Sequence, residues 1–259
     1  MLKKLYPLFL AALCPSVSAF AGESATNDIG VKPFTASYNL IRKEDPVGTA
    51  KRQLSYQSDG SARYSYSTDI EWLIFSDKRN ESSVIRLKDN RVIPQHYKYD
   101  REGTGRNKHY EWQYDVAGNS AFDVKEQQAI KVDFSQNLQD PLSYHLQNRL
   151  NLLAHPEQKH FVYPVIKSSG KIKNYVYQYD GEEELLLPYG LVKAVKFKRE
   201  VVDKKRITYA WFAPELDYLL VKLFQIKAGV KQFEAQLTEL KVDGKAVTAS
   251  LPSNKEQPH

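Results

Sequence analysis

From Phe34 onward, apolar and polar residues alternate with a period of two. Phe34, Ala36, Tyr38 and Leu40 share one side, while Thr35, Ser37 and Asn39 share the other. Successive side chains of a strand point to opposite faces, so this is a strand with one buried and one wet face. The alternation returns at Tyr64, Tyr66, Thr68 and Ile70, at Ile85 and Leu87, and at Ile93, Tyr97 and Tyr99. It continues at Tyr110, Trp112 and Tyr114, at Tyr175, Tyr177 and Tyr179, and at Val195 and Phe197. Ile207, Tyr209 and Trp211 follow, and Phe233, Ala235 and Leu237 form the last run. Turn signals separate these runs: Ser58-Asp59-Gly60-Ser61, Asp89-Asn90, Ala117-Gly118-Asn119, Ser168-Ser169-Gly170, Asp180-Gly181 and Ala228-Gly229. Gly, Asn and Asp accept positive φ at little steric cost, so each marks a tight reversal. Short, evenly spaced strands joined by tight turns predict an antiparallel meander.

One segment changes period. Asp140 is a helix N-cap and Pro141 suits the first helical position, where its missing N–H is no loss. Leu142, Leu146, Leu150 and Leu153 then recur at helical spacing, and His155-Pro156 stops the run. A lone amphipathic helix in a sheet protein covers one sheet face or plugs a barrel mouth. The expected fold is mainly β: a curved antiparallel meander forming an incomplete β-barrel, with one amphipathic helix at about 141–153. Residues 33–243 read as a single domain, preceded by a polar lead-in at 22–32 and followed by a polar tail at 244–259.

The chain before that domain has the form of a signal peptide. Lys3 and Lys4 precede an apolar run from Leu5 to Leu13, and small residues lead to Ala19-Phe20-Ala21. That triplet fits signal peptidase, which places the expected cleavage between Ala21 and Gly22. The apolar run is far shorter than the ~20 residues a membrane-spanning helix needs. Leu13 before Cys14 and Pro15 after it fit a lipid-attachment site poorly. Cleavage after Ala21 removes the single cysteine, so the mature domain holds together without disulfides. The expected location is the periplasm of a bacterial envelope.

Loss of Lys3 and Lys4 lowers the formal net charge from +6 to +4. The charges are interspersed rather than gathered into the basic stripe that nucleic-acid binding requires. The six histidines show no tight ligand spacing, so no metal or cofactor is expected. No G-x-S-x-G elbow or phosphate loop occurs, and Arg101-Glu102-Gly103-Thr104-Gly105-Arg106 reads as a hairpin turn. Nothing in the sequence points to catalysis.

Two apolar runs break the alternation. Trp72-Leu73-Ile74-Phe75 reads either as a strand end buried on both faces or as a flap lining a ligand cavity. Leu185-Leu186-Leu187-Pro188-Tyr189-Gly190 carries the same two readings. A cavity wall inside the curved sheet would draw on Tyr38, Trp72, Ile74, Phe75, Tyr110, Trp112, Tyr114 and Trp211.

The order of several short motifs resembles the DUF3108 family of bacterial envelope proteins. These are Phe34-Thr35-Ala36-Ser37-Tyr38, Gly48-Thr49-Ala50 and Asp59-Gly60-Ser61-Ala62-Arg63-Tyr64. Then come Val92-Ile93-Pro94-Gln95-His96-Tyr97, Asp140-Pro141-Leu142-Ser143-Tyr144, Leu187-Pro188-Tyr189-Gly190 and Trp211-Phe212-Ala213-Pro214. Asn90 stands where a glycine is usual, and Leu219-Leu220-Val221 lacks a proline usual before the valine. The resemblance implies a sheet curved around a hydrophobic interior, similar to the half-barrels of periplasmic lipoprotein carriers. The expected function is non-catalytic binding of a lipid or other hydrophobic ligand. The alternative is a structural or assembly partner that offers a sheet edge or face to another envelope protein.

Overall fold

The computed structural model describes residues 30–201 and 204–249. The leader and its Ala21/Gly22 junction lie outside the described residues. Among the described residues, fourteen of fifteen strands form one continuous antiparallel path. Its first half comprises β1 (Phe34–Arg42), β2 (Asp45–Tyr56), β3 (Ala62–Trp72), β4 (Phe75–Lys88) and β5 (Arg91–Gly103). The first half ends with β6 (Lys108–Asp115), β7 (Ser120–Asp123) and β8 (Gln128–Lys131). Helix α1 (Ser143–Ala154) follows. The second half is β9 (His160–Ile166), β10 (Ile172–Leu187), β11 (Gly190–Val201), β12 (Arg206–Ala213), β13 (Leu219–Lys227) and β14 (Val230–Val242). The short β15 (Lys245–Val247) pairs with β14.

The strand order is β8-β7-β6-β5-β4-β3-β2-β1-β14-β13-β12-β11-β10-β9, so the first and last long strands meet in the middle. Phe34 stands opposite Val242 and Ala36 opposite Leu240. Register shifts at Ser37/Tyr38, Val84/Ile85, Tyr179/Glu182 and Trp211/Phe212 bend the strands, as an extra residue on one side of a ladder does. The bent sheet curls until its two edges approach without pairing. At that seam Gly170 (φ 74°) lies so close that a Cβ would sit 3.1 Å from Ile130 Cδ1. The segment from Val132 to Asp140 crosses the gap. The Gln139 N–H donates to Pro164 O (2.9 Å), and the Ile166 N–H donates to Gln139 O (2.9 Å).

Helix α1 lies inside the curl. Asp140 caps it: its Oδ1 accepts the N–H groups of Leu142 (2.8 Å) and Ser143 (2.7 Å), and its Oδ2 accepts the Ser83 hydroxyl. The helix proper begins at Ser143 rather than 141, because Pro141 and Leu142 form the turn between cap and helix. Leu142, Leu146 and Leu150 are each 1% exposed, as the leucine stripe requires. Leu153 is only half-buried, whereas Leu152, off the stripe, is 1% exposed. The two halves of the sheet hold the helix from different sides. Leu146 and Leu150 pack with the first half, while Tyr144 and Leu152 pack with Phe161, Tyr163, Tyr177 and Phe212 of the second. Alternate residues of β12 fill opposite faces, Ala210 and Phe212 toward the helix, Trp211 and Ala213 away from it.

Candidate functional site

In a meander, alternate hairpins turn at the same end. The β1–β2, β3–β4, β5–β6, β11–β12 and β13–β14 turns therefore crown one end of the curled sheet. The helix is anchored toward the other end. Gln147 Oε1 accepts the Val92 N–H (2.7 Å) and its Nε2 donates to Asn90 O (3.1 Å). Arg149 Nε donates to Asp217 O (2.7 Å) and its Nη2 to Leu216 O (3.2 Å). These contacts fill one end of the interior. The space left between helix and sheet there, among Phe34, Tyr38, Leu146 and Leu220, is a cavity of about 10 Å³. That volume holds about one water and no acyl chain.

The inner face above the helix remains open, and it is basic. Cross-strand neighbours share a face, which aligns Arg52, Tyr66, Glu81 and Tyr99 in one row and Thr68, Arg79 and Arg101 in the next. From the second half, Arg199, Thr208 and Gln225 form a matching row, with Arg206 beyond it. Arg42 closes the rim, its guanidinium 4.6 Å from the Trp72 ring and 5.7 Å from that of Phe233. Tyr66, Tyr99, Trp72, Phe233, Arg79, Arg199 and Arg206 are half-buried, as the walls of an open cleft should be. Among the described residues, six arginines thus share this face with the carboxylates Asp77 and Glu81, and the cap carboxylate Asp140 lies next to Glu81.

Asp77 is fully engaged. It is 1% exposed, and it accepts Arg79 Nε (2.6 Å) and Arg101 Nε (2.7 Å). Those hydrogen bonds and charges outweigh burial and hold its carboxyl below the usual range. Glu81 is different: burial pushes it up to about 7, although the Tyr97 hydroxyl donates to it (3.3 Å). Burial opposes the charge of Arg52, but Tyr64, Tyr38 and Tyr66 around it more than offset that, so it stays cationic. Arg199 is likewise supported by Tyr144, Tyr177 and Tyr175, and its guanidinium lies 4.2 Å from the Tyr175 ring. Between the two arginines stands His145, on the first turn of the helix. Burial, then the charges of Arg52 and Arg199, push its imidazole well below the ordinary value, so it is neutral at pH 7. Several donors at this site have no partner among the described residues: Arg199 Nε and Nη1, Arg206 Nε and the Thr68 hydroxyl. A buried guanidinium with free N–H groups is matched by an anion.

The candidate wall residues from the sequence do not form one wall. Trp72 and Phe75 are paired at the rim, while Ile74 between them is 95% exposed at the hairpin tip. Tyr38 is packed, its hydroxyl donating to Leu220 O (2.8 Å). Tyr110 and Trp112 line a crevice of about 300 Å³ at the seam, beside Ile130 and Gly170. Tyr114 is buried edge-on against Phe134. Trp211 faces away from the helix, its Nε1 donating to Glu183 Oε2 (3.0 Å) beneath Lys196 and Lys222. A wider groove of about 680 Å³ runs along the β5–β6 turn among Asp100, Arg106, His109 and Lys125. Some of its charges are paired, as in the 2.6 Å His109–Asp100 contact, and none of the buried donors without partners lies along it. Among the described residues no three His, Cys, Asp or Glu side chains converge as metal ligands, and no helix is long and apolar enough to cross a membrane.

Residues 35–236 match the family model described as protein of unknown function DUF3108. The chain belongs to the DUF3108 family. No curated protein matches this DUF3108 chain. Among solved structures it is similar to a beta-barrel-like protein of the domain of unknown function DUF1849 from Brucella abortus. The two are 7% identical with a TM-score of 0.56, covering 82% of this chain and 98% of that one. At such identity the likeness speaks for the fold alone, a β-barrel-like sheet, in agreement with the curled but unclosed meander of this DUF3108 protein.

Proposed function

We propose that the protein is an exported, non-catalytic binding module of the bacterial envelope, and that it takes an anionic amphiphile into the arginine-lined mouth above α1. The carrying observation is the set of buried guanidinium donors without partners, at Arg199 and Arg206, on the inner face. The ligand's anionic group meets these donors and Arg52. Its apolar part lies against the half-buried rings of Tyr66, Tyr99, Trp72 and Phe233. The space beneath the helix is filled, so the ligand lies across the mouth rather than in the core. Edge pairing with another envelope protein draws less support. The β8 edge is four residues long, and Gln139 already occupies the outer side of β9 at Val165.

The test is titration with dodecyl phosphate and with the uncharged n-dodecyl maltoside, both below their micelle concentrations, read by tryptophan emission. Dodecyl phosphate should bind saturably, and Arg199→Gln should weaken it at least tenfold, about 1.4 kcal/mol. The variant should keep its melting temperature, because it removes a buried, incompletely paired charge. Equal binding of both amphiphiles, or no effect of Arg199→Gln, would refute the proposal. For export, N-terminal sequencing of periplasmic protein should start at Gly22; acylated Cys14 would place the protein on a membrane instead.

A further inference from the structure

The β3–β4 hairpin has the wrong residues for a water-facing turn. Its two turn residues are Leu73 and Ile74, 87% and 95% exposed. Leu73 adopts φ 56°, a left-handed conformation that large aliphatic side chains seldom take. Two-residue hairpin turns favour Asn, Asp and Gly there. Asp89-Asn90, Ala228-Gly229 and Asp243-Gly244 follow that preference, and Lys43-Glu44, which departs from it, still presents charged side chains to water. Trp72 and Phe75 pair immediately below, so the tip is an apolar tetrad with its two outermost members in water. A strained turn that also exposes two large side chains conflicts with foldability, which marks it as a functional feature.

Its surroundings select the partner. The neighbouring crown turns bear Lys43, Arg106, Lys108, Lys204, Lys205 and Lys227, all exposed. Among the described residues they outnumber the exposed carboxylates beside these turns, Glu44, Asp45, Glu71, Glu102 and Glu200, of which Glu71 lies 3.9 Å from Lys78 and Glu200 3.2 Å from Lys198. An apolar tip ringed by cations complements an interface that is apolar inside and anionic at its surface. We infer that the crown docks on an anionic phospholipid bilayer, with Leu73 and Ile74 entering the acyl boundary and the lysines meeting the headgroups. The docking stands on the tip and its ring of charge, and does not depend on what the mouth binds. It does aim the mouth at the membrane, because the mouth opens at the same end.

The experiment is co-sedimentation of the mature chain with vesicles of phosphatidylcholine and phosphatidylglycerol, 7:3, against pure phosphatidylcholine vesicles. The wild type should bind the mixed vesicles at least tenfold better, and 0.5 M salt should release most of it. The double variant Leu73→Asn/Ile74→Gly installs the residues such a turn prefers. It should bind at least tenfold more weakly while melting no lower than the wild type. Three results would overturn the inference: no binding of the wild type to mixed vesicles, unchanged binding by the variant, or a wild-type dimer in sedimentation velocity that the variant dissolves. The last would make a second copy of the chain the occupant of the tip.

Discussion

Leu152 and Leu153 are adjacent on the helix, and the structure assigns them opposite weights. The heptad-like stripe Leu142, Leu146, Leu150, Leu153 would place Leu153 in the core and Leu152 in water. Instead Leu152 is 1% exposed among Tyr144, Phe161 and Tyr163, and Leu153 is half-buried. Replacing a buried leucine by alanine removes about three methylene equivalents, or about 2.4 kcal/mol of transfer free energy at ~0.8 kcal/mol each. The cavity left behind adds to this, by ~24 cal/mol per Å³ that fails to collapse. Collapse at Leu152 is resisted because the helix is held from both sides by sheet. Leu152→Ala should therefore destabilise by about 3–4 kcal/mol and Leu153→Ala by about 1 kcal/mol. Urea unfolding followed by tryptophan emission measures both, provided the m-value is unchanged. If Leu153→Ala proves equal to or costlier than Leu152→Ala, the helix is seated by a single stripe, and its enclosure between the two halves is wrong.

Glu81 gives a pH dependence of unusual sign. Its folded pKa is raised to about 7, so between about 4.5 and 7 the folded state binds more protons than the unfolded one, and stability falls as pH rises. Urea unfolding at pH 5 and pH 8 should show Glu81→Gln removing about 1–2 kcal/mol of that pH-dependent loss, the half-exposed side chain keeping it below the full shift. An identical pH slope in wild type and variant would mean that Glu81 titrates normally. Asp140→Ala strands the Leu142 and Ser143 N–H groups and the Ser83 hydroxyl, and should cost about 2 kcal/mol or more by the same assay. A change under 0.5 kcal/mol would show that the cap is replaceable by water.

Period-two alternation and turn residues were enough to read the meander, and Asp140 announced the helix start, because each of these signals is local. The enclosure of α1 was not legible, since it depends on strands hundreds of ångströms of extended chain apart curling together around it. The basic mouth left a faint signal. Arg52 sits between Ala50 and Leu54, and Arg206 precedes Thr208, Ala210 and Phe212, each on the buried side of an alternating run. Following apolar residues alone discards such interruptions, although a charge on an inward position is the informative case. Trp72-Leu73-Ile74-Phe75 broke the alternation visibly, but neither of its two readings anticipated a tip in water, since an apolar run is ordinarily evidence of burial.

The pairing of β1 with β14 decides when this protein can fold. The middle of the sheet joins the first strand to the last long one, Phe34 to Val242, and the helix core needs both halves in place. Local hairpins such as β3–β4 can form as soon as they exist, but the central ladder awaits nearly the whole chain, and such distant closure is slow. An emerging chain thus stays without its core until synthesis is almost complete. Under the proposed export, that delay would keep the polypeptide unfolded for passage through a narrow translocation channel, to acquire its structure on the far side.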